Sequence, residues 1–67
     1  MKSVSIGFPI IAYNFFLKKK YNKSKEVCVS GLDRFNNHPD GLYILAQCEY
    51  KIGNIKSSEM ILKTLME

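Results

Sequence analysis

Tryptophan is absent from the 67 residues, and glycine and proline are sparse at four and two. There is no glycine-rich loop to cradle a phosphate, no paired-carboxylate site and no cofactor fingerprint. The two cysteines, Cys28 and Cys48, and the single histidine, His38, lack the spacing of a metal site. Cys28 and His38 invite a nucleophile–base reading. Cys28, however, falls on an apolar helical position and His38 in a loop beside Pro39, so nothing in the sequence sets them within reach. They read as a buried small thiol and a solvated loop imidazole. No catalytic residue, metal or cofactor is assigned, and the expectation is a protein that is not an enzyme and has no small-molecule substrate.

Long hydrophobic runs are missing as well. Val4 to Leu17 is rather apolar and follows Lys2, as in a signal peptide. Pro9 and Asn14 interrupt it, no small-residue cleavage pattern follows, and Lys18-Lys19-Lys20 closes it. It is also shorter than the roughly 20 residues a bilayer span needs, so no membrane partner is expected. Two cysteines without a secretory signal imply free thiols in a reducing, intracellular compartment, cytoplasmic or nuclear. A net charge of +4 and a pI near 9.2 suit anionic partners without demanding them. A chain of this length makes one domain and buries only about 60% of its unfolded surface, so its stability in isolation is marginal.

What the chain does have is helical periodicity. Leu42, Leu45, Cys48 and Ile52 recur by threes and fours along one helical face, and Tyr43 and Tyr50 share another. A helix apolar on more than one side is buried between neighbours. Gly53-Asn54 stops it, because glycine accepts the left-handed conformation that ends helices, and Ile55 to Met66 supplies a second helical pattern. Upstream, Pro9 suits the first turn of a helix, giving expected helices at 9–18, 23–36, 41–52 and 55–66. Lys18 to Lys23 reads as the first turn, Asn36 to Gly41 as the loop between hairpins, and Asp40 as the cap of the third helix. Met1 to Gly7 reads as extended or frayed. The fold class is all-α, four helices in two hairpins stacked as an αα-solenoid fragment.

Sliding the second hairpin back by 42 − 8 = 34 residues lays Leu42 on Phe8, Leu45 on Ile11, Ala46 on Ala12 and Tyr50 on Phe16. The same shift lays Ile55 on Tyr21, Ser58 on Ser24, Leu62 on Cys28 and Leu65 on Gly31. A two-helix period of about 34 residues resembles the tetratricopeptide repeat. That pattern wants a large apolar residue followed by Leu and a small residue, then Gly at the turn, a bulky residue and a small one. Leu42, Leu45, Ala46, Gly53, Ile55 and Ser58 fill those places, and Phe8, Ile11, Ala12, Tyr21 and Ser24 fill them in the first copy. Lys19 stands where the first turn's Gly is expected. The resemblance implies a single domain over 1–67, with repeat one at about 5–38 and repeat two at about 39–67. Within the family, Leu42, Leu45-Ala46, Cys48, Tyr50, Gly53 and Leu62-Lys63 are similar to the amino-terminal repeats of anaphase-promoting complex scaffold subunits. Leu42 to Gly53 is also similar to the mitochondrial fission adaptor.

In such repeats the first helix of each pair lines a concave groove. The resemblance therefore implies groove-facing Pro9, Tyr13, Phe16 and Leu17, then Tyr43, Gln47, Tyr50 and Lys51. Of these, Tyr13, Phe16, Tyr43, Gln47, Tyr50 and Lys51 are the expected partner-binding residues, suited to an apolar helix or extended segment. The expected function is a protein-interaction or scaffold module, a subunit of a larger assembly or a homo-oligomer. Glu49, matched by the apolar Phe15 in the first copy, is expected to face water or a partner's basic group. The wide stripe Ile55, Ile61, Leu62, Leu65 and Met66 is expected to be covered by another chain, identical or not. The alternative function is a small basic RNA- or ribosome-associated protein that docks through the Lys18–Lys25 turn, with Lys18, Lys19, Lys20 and Lys23 as the anion-binding residues. RNA reading usually adds exposed aromatics, and Tyr21, the one aromatic here, is assigned to the core.

Overall fold

The structure is a computed structural model and describes residues 7–66. Four α-helices follow one another: α1 (Phe8–Leu17), α2 (Tyr21–Arg34), α3 (Pro39–Ile52) and α4 (Ile55–Met66). Each helix packs on the next, and α1 also touches α3. Among the described residues no contact joins α4 to α1 or α2. Because α1 meets α3 while α2 and α4 stay apart, the two hairpins splay on the α2/α4 side and close up on the α1/α3 side. The fold is all-α, two helical hairpins stacked as an αα-solenoid fragment.

The 34-residue offset is written into the backbone. Ser24 Oγ donates to the Ala12 carbonyl at 2.7 Å, and Ser58 Oγ donates to the Ala46 carbonyl at 2.9 Å. Ala12 and Ala46 are both fully buried. A small residue on one helix lets the partner helix approach closely enough for a serine to reach its carbonyl. The turns repeat too. Lys20 N–H donates to Phe15 O at 2.9 Å, and Asn54 N–H donates to Glu49 O at 2.8 Å. Lys19 N–H and Gly53 N–H donate to Phe16 O and Tyr50 O, completing the bond pattern of a Schellman turn in both hairpins. Gly53 has φ 107°, and Lys19 has φ 62°, the left-handed conformation that a lysine adopts at some cost.

Several boundaries differ from the expectation. α2 begins at Tyr21 rather than 23, since the Schellman turn reverses the chain in Lys18–Lys20 alone, and it ends at Arg34 rather than 36. α3 begins at Pro39, so Pro39, Asp40 and Gly41 are helical rather than loop. Asp40 is not the cap. His38 is, with extended backbone and Nδ1 accepting from Gly41 N–H at 3.4 Å, while Pro39 takes the first helical position, where a missing N–H costs nothing. His38 is accordingly half-buried rather than solvated, its ring set edge-on to Phe8 at 5.2 Å.

Ala12, Cys28, Ile44 and Cys48 form the core, with Phe16, Val27 and Leu45 packed against it. Cys48 Sγ–H donates to Ser24 Oγ at 3.1 Å, extending the Ser24–Ala12 bond across to α3. The buried face of α3 is turned from the expected one: Ile44 is buried, Leu42 and Leu45 are half-buried, and Ile52 is exposed. Glu49 also departs from expectation. It is only 7% exposed, and its Oε1 lies 3.3 Å from Lys25 Nζ and accepts from Asn54 Nδ2 at 2.7 Å. Its basic partner comes from α2 of the same chain. Of α4, only Ser58 is buried; Ile61, Leu62 and Leu65 are half-buried, and Ile55 and Met66 are exposed.

Phe8, which the offset aligned with Leu42, packs against residues that the offset did not pair with it. Its ring is 2% exposed, stacks on Phe35 at 6.3 Å and lies between Gly31 of α2 and Gly41 of α3. A Cβ on either glycine would fall inside the ring's contact distance. The three pieces form a wedge that joins α1 to both other helices.

Candidate partner-binding groove

The close approach of α1 to α3 leaves a groove of about 320 Å³ on their shared side. Pro9, Tyr13 and Phe16 form the α1 wall, four and three residues apart, which is one side of a helix. Tyr43, Ile44 and Gln47 form the α3 wall by the same spacing. The Tyr13 and Phe16 rings stack at 6.4 Å and 11°. Tyr21 of α2 meets Phe16 edge-on at 5.2 Å, so Phe16 is held from behind while Tyr13 stands 49% exposed above it. Tyr43 lines the groove from α3 and is 54% exposed.

Of the expected binding residues, Tyr13, Phe16, Tyr43 and Gln47 are brought together here, with Pro9. Tyr50, Lys51 and Leu17 do not line the groove, although all three are exposed. Ile10, Asn14, Asp40 and Ile44 line it and were not expected. Ile10 and Ile44 are themselves one period apart, a signal available in the sequence. The surface combines aromatic rings with two amides and one carboxylate, the composition of a recognition site, and its volume is at the small end of the roughly 300–1,000 Å³ range of ligand clefts.

The basic turn is arranged differently. Lys18, Lys19, Lys20 and Lys23 are all exposed, and Lys19, Lys20 and Lys23 border a shallow concavity with Tyr21, Asn22 and Ile52. Lys18 does not border it. Lys25 is directed to Glu49 instead.

The thiols lie elsewhere. Cys28 and Cys48 are both fully buried and free. Burial, with a smaller contribution from neighbouring Cys48, pushes the Cys28 thiol up to about 12. Burial also raises the Cys48 thiol above its ordinary value. A thiol kept protonated and out of solvent is neither nucleophile nor ligand at neutral pH. Among the described residues no three of His, Cys, Asp or Glu gather to hold a metal ion, and no described helix is long and apolar enough to cross a membrane.

Set against protein-family models, curated proteins and solved structures, the chain returns no match.

Proposed function

We propose that the chain is a non-enzymatic tetratricopeptide-type interaction module, part of a larger intracellular assembly, whose α1–α3 groove takes an apolar segment of a partner protein. One observation carries this reading: two half-exposed tyrosines, Tyr13 of α1 and Tyr43 of α3, line the same apolar cleft. Tyrosine presents a large apolar area with few rotors and a hydroxyl that stays hydrated, which suits an interface better than a core. The paired Ser–Ala bonds and the left-handed turn residues, each 34 residues apart, support the repeat assignment.

The second reading, docking on RNA, draws on the concavity bordered by Lys19, Lys20 and Lys23. Affinity purification from native extract, with wild-type, Tyr43→Ala and Lys19→Ala chains side by side, separates the two. The groove reading expects a protein partner that survives high salt, is kept by Lys19→Ala and is weakened by Tyr43→Ala by about 2 kcal/mol or more, roughly thirty-fold. Helical content stays unchanged in both variants, since both side chains are exposed. A partner lost with Lys19→Ala, kept by Tyr43→Ala and released steeply by salt overturns the groove reading in favour of RNA.

A further inference from the structure

The contact between the two hairpins has two sides, and the 34-residue offset puts a second set of both on the outer faces of the molecule. On the receiving side, Ala12, Phe16, Val27 and Cys28 of the first hairpin form a seat. Ile44, Leu45 and Cys48 of α3 insert into it. Moving the seat forward by one period gives Ala46, Tyr50, Ile61 and Leu62 on α3 and α4. Tyr50 is 58% exposed, and Ile61 and Leu62 are half-buried. Moving the inserting side back by one period gives Ile10, Ile11 and Asn14 on α1. Ile10 is 70% and Ile11 50% exposed, against 8% for Ile44, the counterpart of Ile10.

We propose that copies of this chain associate head to tail, α1 of one copy seating on α3 and α4 of the next and repeating the internal α2–α3 packing. The occupant is specified by continuity with the interface inside the chain, because both complementary surfaces belong to the same molecule. The polar detail matches as well. Cys48 donates to Ser24 in the internal contact. Asn14 stands one period before Cys48 and Ser58 one period after Ser24, so the register sets the Asn14 amide of the second copy over the buried Ser58, whose hydroxyl already donates to the Ala46 carbonyl. The Lys25–Glu49 ion pair has no such counterpart, since Glu59 and Phe15 stand in those places. The outer contact is therefore weaker than the inner one.

The contact is heterologous, so each added copy leaves both outer faces unoccupied and the series is open-ended. It also builds a second groove, with Tyr43, Gln47 and Tyr50 on one wall and Pro9 and Tyr13 of the second copy on the other. Tyr50, exposed and outside the groove of the single chain, acquires a place in this one. The association stands whether or not either groove binds a partner protein.

Sedimentation of the full chain from micromolar to millimolar concentration, with two blocked variants, tests it. Ile11→Arg blocks the inserting face and Ile61→Lys the seat. The wild-type chain is expected to show an average mass that rises past that of a dimer. Each variant alone is expected to remain a monomer, and an equal mixture of the two to give a dimer and nothing larger, because one intact pair of faces survives. Circular dichroism checks that the variants keep their helices; should Ile61→Lys lose them, Tyr50→Lys, at a 58% exposed position of the same seat, replaces it with the same expectation. A wild-type chain that stays monomeric at every concentration overturns the proposal. So does a dimer that never grows, or a single variant that associates as the wild type does.

Discussion

Replacing Gly31 by alanine puts two physical effects in opposition, and their balance tests the Phe8 wedge. In a helix interior alanine is favoured over glycine by about 0.8–1 kcal/mol, so on propensity alone Gly31→Ala stabilises α2. The added Cβ, however, falls against three ring carbons of Phe8, well inside ordinary contact distance. The ring has little room to retreat. Gly41 lies beyond it, where a Cβ would already be 2.5 Å from the ring tip, and Phe35 and His38 hold two further sides. Overpacking of this kind costs about 1–3 kcal/mol, and expelling the ring altogether sets a ceiling near the roughly 3–5 kcal/mol of a buried Phe→Ala change. Subtracting the propensity gain leaves a net loss of up to about 2 kcal/mol, or up to roughly 16 °C in Tm for a chain of this size. In a Phe8→Ala background the clash disappears and Gly31→Ala is expected to stabilise by about 1 kcal/mol. Thermal and urea unfolding followed by circular dichroism, in an osmolyte that gives all four chains a folded baseline, measures the cycle. If Gly31→Ala raises stability equally in both backgrounds, the ring does not lie against Gly31 and the wedge is refuted.

Ala46→Leu is expected to cost about 1–3 kcal/mol, because Ala46 is fully buried where Ser58 reaches its carbonyl; a folded, equally stable variant contradicts the repeat alignment. Ser24→Ala leaves the Cys48 thiol without its acceptor and the Ala12 carbonyl without its extra donor, at about 1–2 kcal/mol in urea unfolding, whereas Ser58→Ala removes a single bond and costs less. Lys19→Gly relieves a left-handed lysine, and a gain of about 0.5–1 kcal/mol in the same assay is expected once the greater freedom of the unfolded chain is subtracted. The Cys28 pKa rises from 9.0 to about 12 on folding, so its contribution is complete below pH 9 and is lost as pH climbs from 9 towards 12. Stability is thus expected to decline over that interval, less steeply in Cys28→Ala, and native thiols at pH 8 to react only as fast as the chain opens.

The repeat was legible because it is carried by residues whose identity the backbone demands. Small Ala12 and Ala46, hydroxylated Ser24 and Ser58, and the break at Gly53 each answer to a close approach or a reversal, and each reappears where the offset placed it. Lys19 shows the limit of that logic: the turn keeps its left-handed geometry with a residue that sequence rules would not choose. The start of α3 was misplaced because His38, unlike Asp40, is not among the usual capping residues, though its Nδ1 serves as an acceptor in the same position. Glu49 was misread because its partner is 24 residues away on another helix, a pairing that no local pattern contains. Of the residues that the repeat resemblance implied for a groove, Tyr13, Phe16, Tyr43 and Gln47 line one concavity. Tyr50 and Lys51, implied by the same resemblance, do not line it.

The two hairpins are alike within and unlike where they meet, and that difference sets the order of the assembly. The wedge of Phe8 between Gly31 and Gly41 has as its counterparts Leu42, Leu65 and Gly7, so the bulky residue of the second hairpin has a leucine where Phe8 has a glycine. Lys25 and Glu49 pair across the inner contact, and Glu59 and Phe15 in their places cannot. An inner join built on an interlocked ring and a half-buried ion pair holds the two hairpins in one arrangement within the chain. An outer face with the same apolar seat but neither device offers area without the lock. Apolar area alone, on a face left half-exposed, gives contacts that form and break with concentration. The proposed association through α4 is therefore expected to be reversible, while the α1–α3 groove, fixed by the inner join, keeps its shape in the single chain.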